Sequence, residues 1–362
     1  MRRSILWVVG ISLFVGAALF VASRISIVQD LLVRKAIEHQ LSDQKHELFE
    51  QDALRALFCG TSSPAPDPKR AKACVAVFAA GRFWVVDTGP GSWNTLGTLR
   101  VDPSRIGGVL LTHFHSDHIG DLGELNLQTW VAGRPAALQV YGPPGVTDVV
   151  AGFAQAYALD SGYRIAHHSE SFVPSAVGQM HAVEVPYPQY GEGPTVVVDE
   201  DGLRITAFPV RHEPVRPAYG YRFDYLGRSL VVSGDTVRST ALIDASKDVD
   251  VLIHEAMAKH IVSTIGEIAE EVGRPRIATL MADIPSYHVS AVQAAKIANE
   301  ANAKLLVMYH LFPPPPNRLA EDVFTRGVSE VRKTGWELAE DGMLISLPSG
   351  SDAIVTERLT LR

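Results

Sequence analysis

The chain has 362 residues, of which 46% are hydrophobic and 20% charged, and its formal net charge is −7. That apolar content can build a sizeable core and excludes a disordered chain, while the acidic balance lacks the basic field that supplies most nucleic-acid affinity and weighs against a nucleic-acid partner. Only two cysteines occur, Cys59 and Cys74, with no C-x-x-C, which argues against a structural zinc knuckle and against a dithiol redox motif.

At the N-terminus, Arg2 and Arg3 precede an unbroken apolar run from Ile5 to Ala22, about 27 Å long as a helix and close to the thickness of a bilayer core. Residues 1–24 are therefore read as a membrane-anchor helix, an uncleaved signal anchor. A cleaved signal peptide is the first alternative, weakened because Phe20-Val21-Ala22-Ser23 is a poor cleavage site, and a buried helix of the soluble fold is the second. Arg24, Arg34 and Lys35 on the far flank compete with Arg2 and Arg3 for the cytoplasmic side. A catalytic domain behind a lone N-terminal segment is expected outside the cytoplasm, periplasmic and anchored to the inner membrane, or secreted if the segment is cleaved. Over residues 25–50, Ile27, Leu31, Leu32, Ile37 and Leu41 recur among polar residues with roughly helical spacing, which predicts an amphipathic stalk. Residues 51–362 contain no long linker and no repeat, so they are read as one catalytic domain.

Within that domain, apolar and β-branched runs predict strands at Ala53 to Cys59, Cys74 to Ala80, Phe83 to Asp87, Val109 to Thr112, Leu138 to Tyr141, Leu203 to Val210, Tyr219 to Tyr225, Ser229 to Ser233, Val251 to His254 and Leu305 to His310. Helices are predicted at about Asp121 to Ala132, Val146 to Leu159, Ser290 to Asn302 and Ala320 to Lys333. This alternation suits mixed sheets covered by helices. Cys59 and Cys74 fall in adjacent predicted strands, as either a disulfide or a pair of buried thiols. The segment from Asp160 to Gly202 is poor in periodicity and long for a loop. It is read as a substrate-facing lid, with His167, His168, Tyr187 and Tyr190 as candidate substrate-binding residues.

The chemistry concentrates in Thr112-His113-Phe114-His115-Ser116-Asp117-His118, an H-x-H-x-D-H sequence directly after the apolar run Gly108 to Leu111. Two histidines two residues apart on a strand point to the same side, and a turn near Ser116 can bring Asp117 and His118 back beside them. Imidazole with carboxylate suits Zn²⁺ and its first-row neighbours, Mn²⁺ and Fe²⁺ included, better than Ca²⁺ or Mg²⁺. Two metals need more ligands, and His212, Asp235 and His310 each stand at or just past the end of an apolar run, where a buried strand presents its last side chain.

In this order of motifs the chain resembles the metallo-β-lactamase superfamily, in the branch that holds ribonuclease Z and the related arylsulfatase-like and phosphodiesterase hydrolases. Besides the ligand run, the resemblance rests on Phe58-Cys59-Gly60-Thr61, Val85-Val86-Asp87-Thr88-Gly89, Tyr219-Gly220-Tyr221-Arg222-Phe223, Ser233-Gly234-Asp235-Thr236, Leu252-Ile253-His254-Glu255-Ala256 and Tyr287-His288-Val289-Ser290. It implies an α/β fold, the four-layer αββα sandwich, with a dinuclear zinc site at one edge. By position, His113, His115 and His212 would hold one metal, Asp117, His118 and His310 the other, and Asp235 would bridge them. Water held by the two metals would lose a proton near neutral pH and attack. Asp117, His288 and Glu255 are the implied catalytic set, with His288 protonating the leaving oxygen or stabilising charge and Glu255 orienting it.

Departures from ribonuclease Z shape the expected substrate. The resemblance implies a long basic arm between the third metal histidine and the bridging aspartate, which grips tRNA. Here only 22 residues lie between His212 and Asp235, and they read as a hairpin. Between Gly178 and Leu203 stand Glu184, Glu192, Asp199, Glu200 and Asp201 with no Lys or Arg, a loop that would repel polyphosphate. The expected function is therefore a dinuclear-zinc hydrolase of phosphodiester or sulfate esters of small extracytoplasmic molecules. A ribonuclease Z-type endonuclease that processes tRNA 3′ ends, a lactone or β-lactam hydrolase, and a non-catalytic metal-binding scaffold are the alternatives. The expected partners are a small ester substrate and the membrane, and a homodimer is left open.

Overall fold

The structure is a computed structural model that describes residues 20, 23–42, 45–187 and 193–360. Nearly all of the expected anchor at residues 1–24 lies outside the described residues. Among the described residues, no helix is long and apolar enough to cross a membrane. The chain divides into two compact units, Met1–Lys45 and His46–Arg362. The first contains a helix over Ser26–Ser42. On it Ile27, Leu31, Leu32, Val33 and Ile37 are all exposed.

The second unit is built on two sheets. The first sheet has eight strands and is ordered β15-β14-β1-β2-β3-β4-β5-β6. These strands are β1 (Ala53–Gly60), β2 (Cys74–Ala79), β3 (Arg82–Val86), β4 (Ile106–Leu110), β5 (Leu138–Gly142), β6 (Met180–Glu184), β14 (Met343–Pro348) and β15 (Val355–Arg358). The second has seven strands in the order β13-β12-β11-β10-β9-β8-β7. They are β7 (Thr195–Glu200), β8 (Leu203–Pro209), β9 (Tyr219–Tyr225), β10 (Arg228–Val232), β11 (Val251–Met257), β12 (Leu305–Phe312) and β13 (Trp336–Leu338).

Strand alternation explains why these sheets become four layers. In β2, Val75 and Val77 face a core that also holds Trp84, Leu110, Tyr221, Phe223, Leu230, Val232, Ile253 and Val307 from both sheets. The intervening Cys74, Ala76 and Phe78 face a second core, where the helices Leu122–Val131 and Val146–His168 begin to cover the first sheet. In the same way Val251 and Ile253 of β11 point inward, while Leu252 and Ala256 meet Ala294, Ala295 and Ala298 of the helix Ala291–Glu300. Both faces of the central strands are thus buried, which is why they read as continuous apolar runs. Cys59 and Cys74 are joined as a disulfide between β1 and β2.

The expected lid is not a loop. Helix Val146–His168 runs on well past Leu159, and β6 and β7 take up part of the remainder, of which residues 188–192 lie outside the described residues. The predicted helix at Ala320 to Lys333 is two short ones, Arg318–Phe324 and Val328–Val331. They break at Gly327, whose φ of 85° lies in the left-handed region that favours glycine.

One buried ion pair ties the second sheet to its neighbours. Asp250 accepts hydrogen bonds from Arg228 Nε at 3.0 Å and from the Ser229 amide at 2.9 Å, and Lys304 Nζ lies 2.9 Å away. Burial by itself would raise the carboxyl pKa, but the bonds from Arg228, Lys304 and Ser229 outweigh it and hold it below the usual carboxylate value. A depressed folded pKa stabilises the fold above the unfolded pKa, roughly 3.9, and that contribution is lost as pH falls through the folded value. Asp250→Asn should therefore lower stability at pH 7 and reduce the loss of stability between about pH 5 and pH 2, measured by urea unfolding across that range. Parallel acid limbs for the two proteins would show that Asp250 makes no such contribution.

Candidate metal centre

All the candidate ligands but His310 lie on a segment that follows a strand. Strands β3 and β4 run parallel, as do β10, β11 and β12, so their carboxyl ends open on one edge. The turn and short helix after β4 carry His113, His115, Asp117 and His118, while His212 follows β8 and Asp235 follows β10. His310 lies within β12, held in the left-handed region at φ 47°, an unusual conformation for a residue with a side chain and one that clusters at functional sites. Gly234, before Asp235, is also left-handed at φ 61°, and a Cβ there would lie 2.5 Å from the Tyr219 carbonyl oxygen. Only glycine lets the chain turn so sharply against β9 and deliver Asp235.

The side chains form three groups, the third being Asp235, His288 and His310. His113, His115, His212 and Asp235 bring one ligand atom each to within 4.8 Å of one another, and Asp117, His118 and His310 do the same. In the first, His113 Nε2 lies 3.0 Å from His115 Nδ1, and both His113 Nε2 and His212 Nε2 lie 3.9 Å from Asp235 Oδ2. In the second, His310 Nε2 lies 3.2 Å from Asp117 Oδ2 and 3.3 Å from His118 Nε2. Asp235 reaches both of these groups, with Oδ2 3.4 Å from His118 Nε2 and Oδ1 3.4 Å from His310 Nδ1.

Hydrogen bonds behind the rings set which nitrogen is bare. The Tyr287 carbonyl can only accept, so His212 carries its proton on Nδ1, 3.2 Å away, and Nε2 presents a lone pair. Asp87 Oδ2 takes the Nδ1 proton of His118 at 2.8 Å. The same carboxylate accepts the Thr112 hydroxyl at 2.8 Å, so that hydroxyl oxygen can take the His113 Nδ1 proton at 3.0 Å. Such partners orient metal-binding histidines and raise their basicity. Burial pushes the His113 pKa well below its ordinary value and lowers that of His212. For His118 burial acts in the same direction, but Asp235 and Asp87 outweigh it and hold the ring well above its ordinary value. Burial would raise the Asp235 pKa, yet His310 and His118 hold that carboxylate well below its ordinary range.

His212 Nε2, His310 Nδ1 and Asp235 Oδ1 are buried and make no hydrogen bond. Converging lone pairs and a buried carboxylate oxygen without donors are costly unless a cation neutralises them. The donor set fits divalent metal ions.

The proposed acid and its orienter also meet here. Glu255, on β11, takes His288 Nδ1 at 3.2 Å and the Val289 amide at 3.1 Å on Oε1. Ser290 caps the next helix through a reciprocal bond with Gln293, fixing the loop two residues beyond His288. The His288 ring stacks near His310, with centroids 5.7 Å apart. Burial lowers its pKa, but Glu255 more than compensates and raises it, which favours a proton available for donation.

A cavity of about 460 Å³ opens over these groups, lined by His115, Asp117, Asp235, His288 and His310. The expected lid residues are elsewhere. His167 and His168 are exposed at the end of their helix, with His168 5.6 Å from Phe172, and Tyr187 packs 6.1 Å from Tyr219 under Arg216. None of the three lines the cavity, and Tyr190 lies outside the described residues. What the sequence reading did not assign is Asp87, Thr112 and Tyr287, which orient the ligands. Asp87 was legible as a lone acid ending the apolar β3. Tyr287 acts through its backbone and leaves no signal of its own.

The family model of the β-lactamase superfamily domain matches residues 82–311. The ribonuclease Z of Mycobacterium avium is 38% identical over 263 residues, covering 72% of this chain and 86% of that protein. Among solved structures, the short form of human tRNase Z superposes with a TM-score of 0.57 at 22% identity, over 81% of this chain and 99% of that one. The metallo-β-lactamase fold protein YhfI of Bacillus subtilis gives 0.56 at 20%, over 82% and 99%. These relatives overturn the expectation of a small extracytoplasmic ester as substrate, and with it the argument against nucleic acid. That argument leaned on net charge and on the acids before Leu203, yet Glu200 and Asp201 pair with Arg82 at 2.9 and 2.8 Å and Asp199 pairs with Arg204 at 3.2 Å. Three acids that share Arg82 and Arg204 at the edge of the second sheet say little about the field at the metal ligands. A metal-dependent hydrolase of the metallo-β-lactamase fold, the chain belongs to the β-lactamase superfamily, in the branch that holds ribonuclease Z.

Proposed function

We propose that this protein is a ribonuclease of the ribonuclease Z type, cutting an RNA phosphodiester bond at the 3′ side of a tRNA precursor. The observation that carries this reading is the 38% identity to the Mycobacterium avium ribonuclease Z over 263 residues, a stretch long enough to include the whole set of converging ligands. Two zinc ions are the proposed cofactors, one with His113, His115 and His212, the other with Asp117, His118 and His310, and Asp235 between them. When bound, such a pair polarises phosphoryl oxygens and makes water nucleophilic near neutral pH. The chain's own residues do the rest. Asp117 holds its place beside His310, Glu255 keeps the His288 proton on Nδ1 and favours the doubly protonated ring, and Nε2 of that ring gives a proton to the departing ribose oxygen.

Three outcomes are expected. Purified protein should cut a tRNA precursor with a 3′ trailer once, in a reaction abolished by a chelator and restored by zinc, as read on a sequencing gel. Intact precursor after incubation with metal-loaded protein would refute the ribonuclease reading. Elemental analysis should find about two zinc-like ions per chain, and Asp235→Ala should lose both, because one carboxylate serves both positions; one ion or none in active protein would break the dinuclear assignment.

The third outcome separates acid catalysis from metal binding. His288→Ala should keep its metal yet lose roughly 10²- to 10⁴-fold in rate, the usual range for a positioned acid or base. The loss should shrink with p-nitrophenolate as leaving group, which needs little protonation, and grow with an alkoxide. Equal losses would instead assign His288 to charge stabilisation, and depleted metal would make it a ligand.

A further inference from the structure

The metal cavity has two unlike sides. On one side stand His115, Asp117, Asp235, His288 and His310, and on the other Ile277, Leu280, Met281 and Ile284. The apolar side belongs to a pair of helices, Lys259–Glu271 and Pro275–Asp283, inserted between the strand that carries Glu255 and the loop that carries His288. Their facing sides pack through Val262 and Met281 onto Met257, with Ile265, Ile277, Ile284 and Phe312 around them. Lys259 Nζ donates to the Pro285 carbonyl at 2.7 Å and ties the first helix to the end of the second. The wall is thus a folded part of the site.

Leu280 is 51% exposed although it faces the metal ligands across the cavity. An apolar side chain left in water beside a charged cluster gains only when something apolar covers it. Ile277, Leu280, Met281 and Ile284 offer no hydrogen bond to a ribose or a second phosphate, so a substituent of a phosphodiester seated on the polar side would meet apolar surface there. What fits is a flat apolar surface, with Tyr287 at the polar border.

We propose that Ile277, Leu280 and Ile284, with Tyr287, form a nucleobase subsite that takes the base of a nucleotide flanking the scissile phosphate. This rests on the RNA reading above. Because every base has a stacking face and Ile277, Leu280 and Ile284 carry no donor or acceptor to read its edge, the subsite distinguishes a base from no base, and discriminates little among the four.

The test uses the full, zinc-loaded chain and tRNA precursors that are identical except for an abasic nucleotide placed 5′ or 3′ of the cut. One of the two placements should lower kcat/KM by roughly 5- to 150-fold, the equivalent of about 1–3 kcal/mol of base stacking. In Leu280→Ser, which alters an exposed side chain, the normal precursor should fall toward the abasic rate and the difference narrow, with metal content and melting temperature unchanged. Leu280→Phe should keep the difference. Normal and abasic precursors cut equally by the parent protein would overturn the subsite while leaving ribonuclease activity standing. A difference undiminished in Leu280→Ser would place the base elsewhere. No cleavage of any RNA by metal-loaded protein would remove the ribonuclease reading and the subsite together.

Discussion

A carboxylate buried to 2% exposure, with one oxygen lacking any hydrogen-bond donor, is the constraint on which the rest of this site depends. Asp235 sits among ring nitrogens of His113, His118, His212 and His310, and burying a carboxylate costs several kcal/mol unless positive charge offsets it. The sheets accept that cost because their carboxyl ends meet at one edge, where parallel strands leave chain ends with nothing further to pair. Left-handed backbone at Gly234 and His310 places the two groups against one another. Neutralisation by divalent cations is what makes such an arrangement stable.

Behind the ligands, Asp87 does for the first sheet what Glu255 does for the second. Each is a fully buried acid at the end of an apolar strand, and each fixes a ring through Nδ1, Asp87 holding His118 and Glu255 holding His288. The first ring is thereby left with a lone pair for metal and the second with a proton for a leaving group.

Much of this was legible in the chain. The H-x-H-x-D-H run announces its chemistry by spacing, and His212, Asp235 and His310 are recognisable because a polar residue ends each apolar run. The strands that were missed are of another kind. β6 and β7 lie within a stretch rich in Gly and Pro that masks short apolar triplets such as Val196-Val197-Val198, β13 has three residues, too few for any periodicity, and β14 and β15, Met343–Pro348 and Val355–Arg358, were passed over although Met343-Leu344-Ile345 is a plain apolar run. The helical pair over Lys259–Asp283 was overlooked since its neighbours are motif residues. Its apolar positions, Val262, Ile265, Ala269, Ile277, Met281 and Ile284, do carry the helical period.

The substrate was misread for a physical reason. Net charge averages over a whole surface, whereas a phosphodiester meets a few ångströms of it, and there the bound cations dominate the field. The 38% identity to a ribonuclease Z over 263 residues carries information that global charge cannot. The central claim is that one carboxylate joins two metal positions, and anomalous diffraction at the zinc edge from metal-loaded crystals tests it most directly. Two peaks about 3.5–4 Å apart, one among His113, His115 and His212 and the other among Asp117, His118 and His310, with Asp235 touching both, are the result expected. A single peak, or a second one away from Asp235, would contradict it.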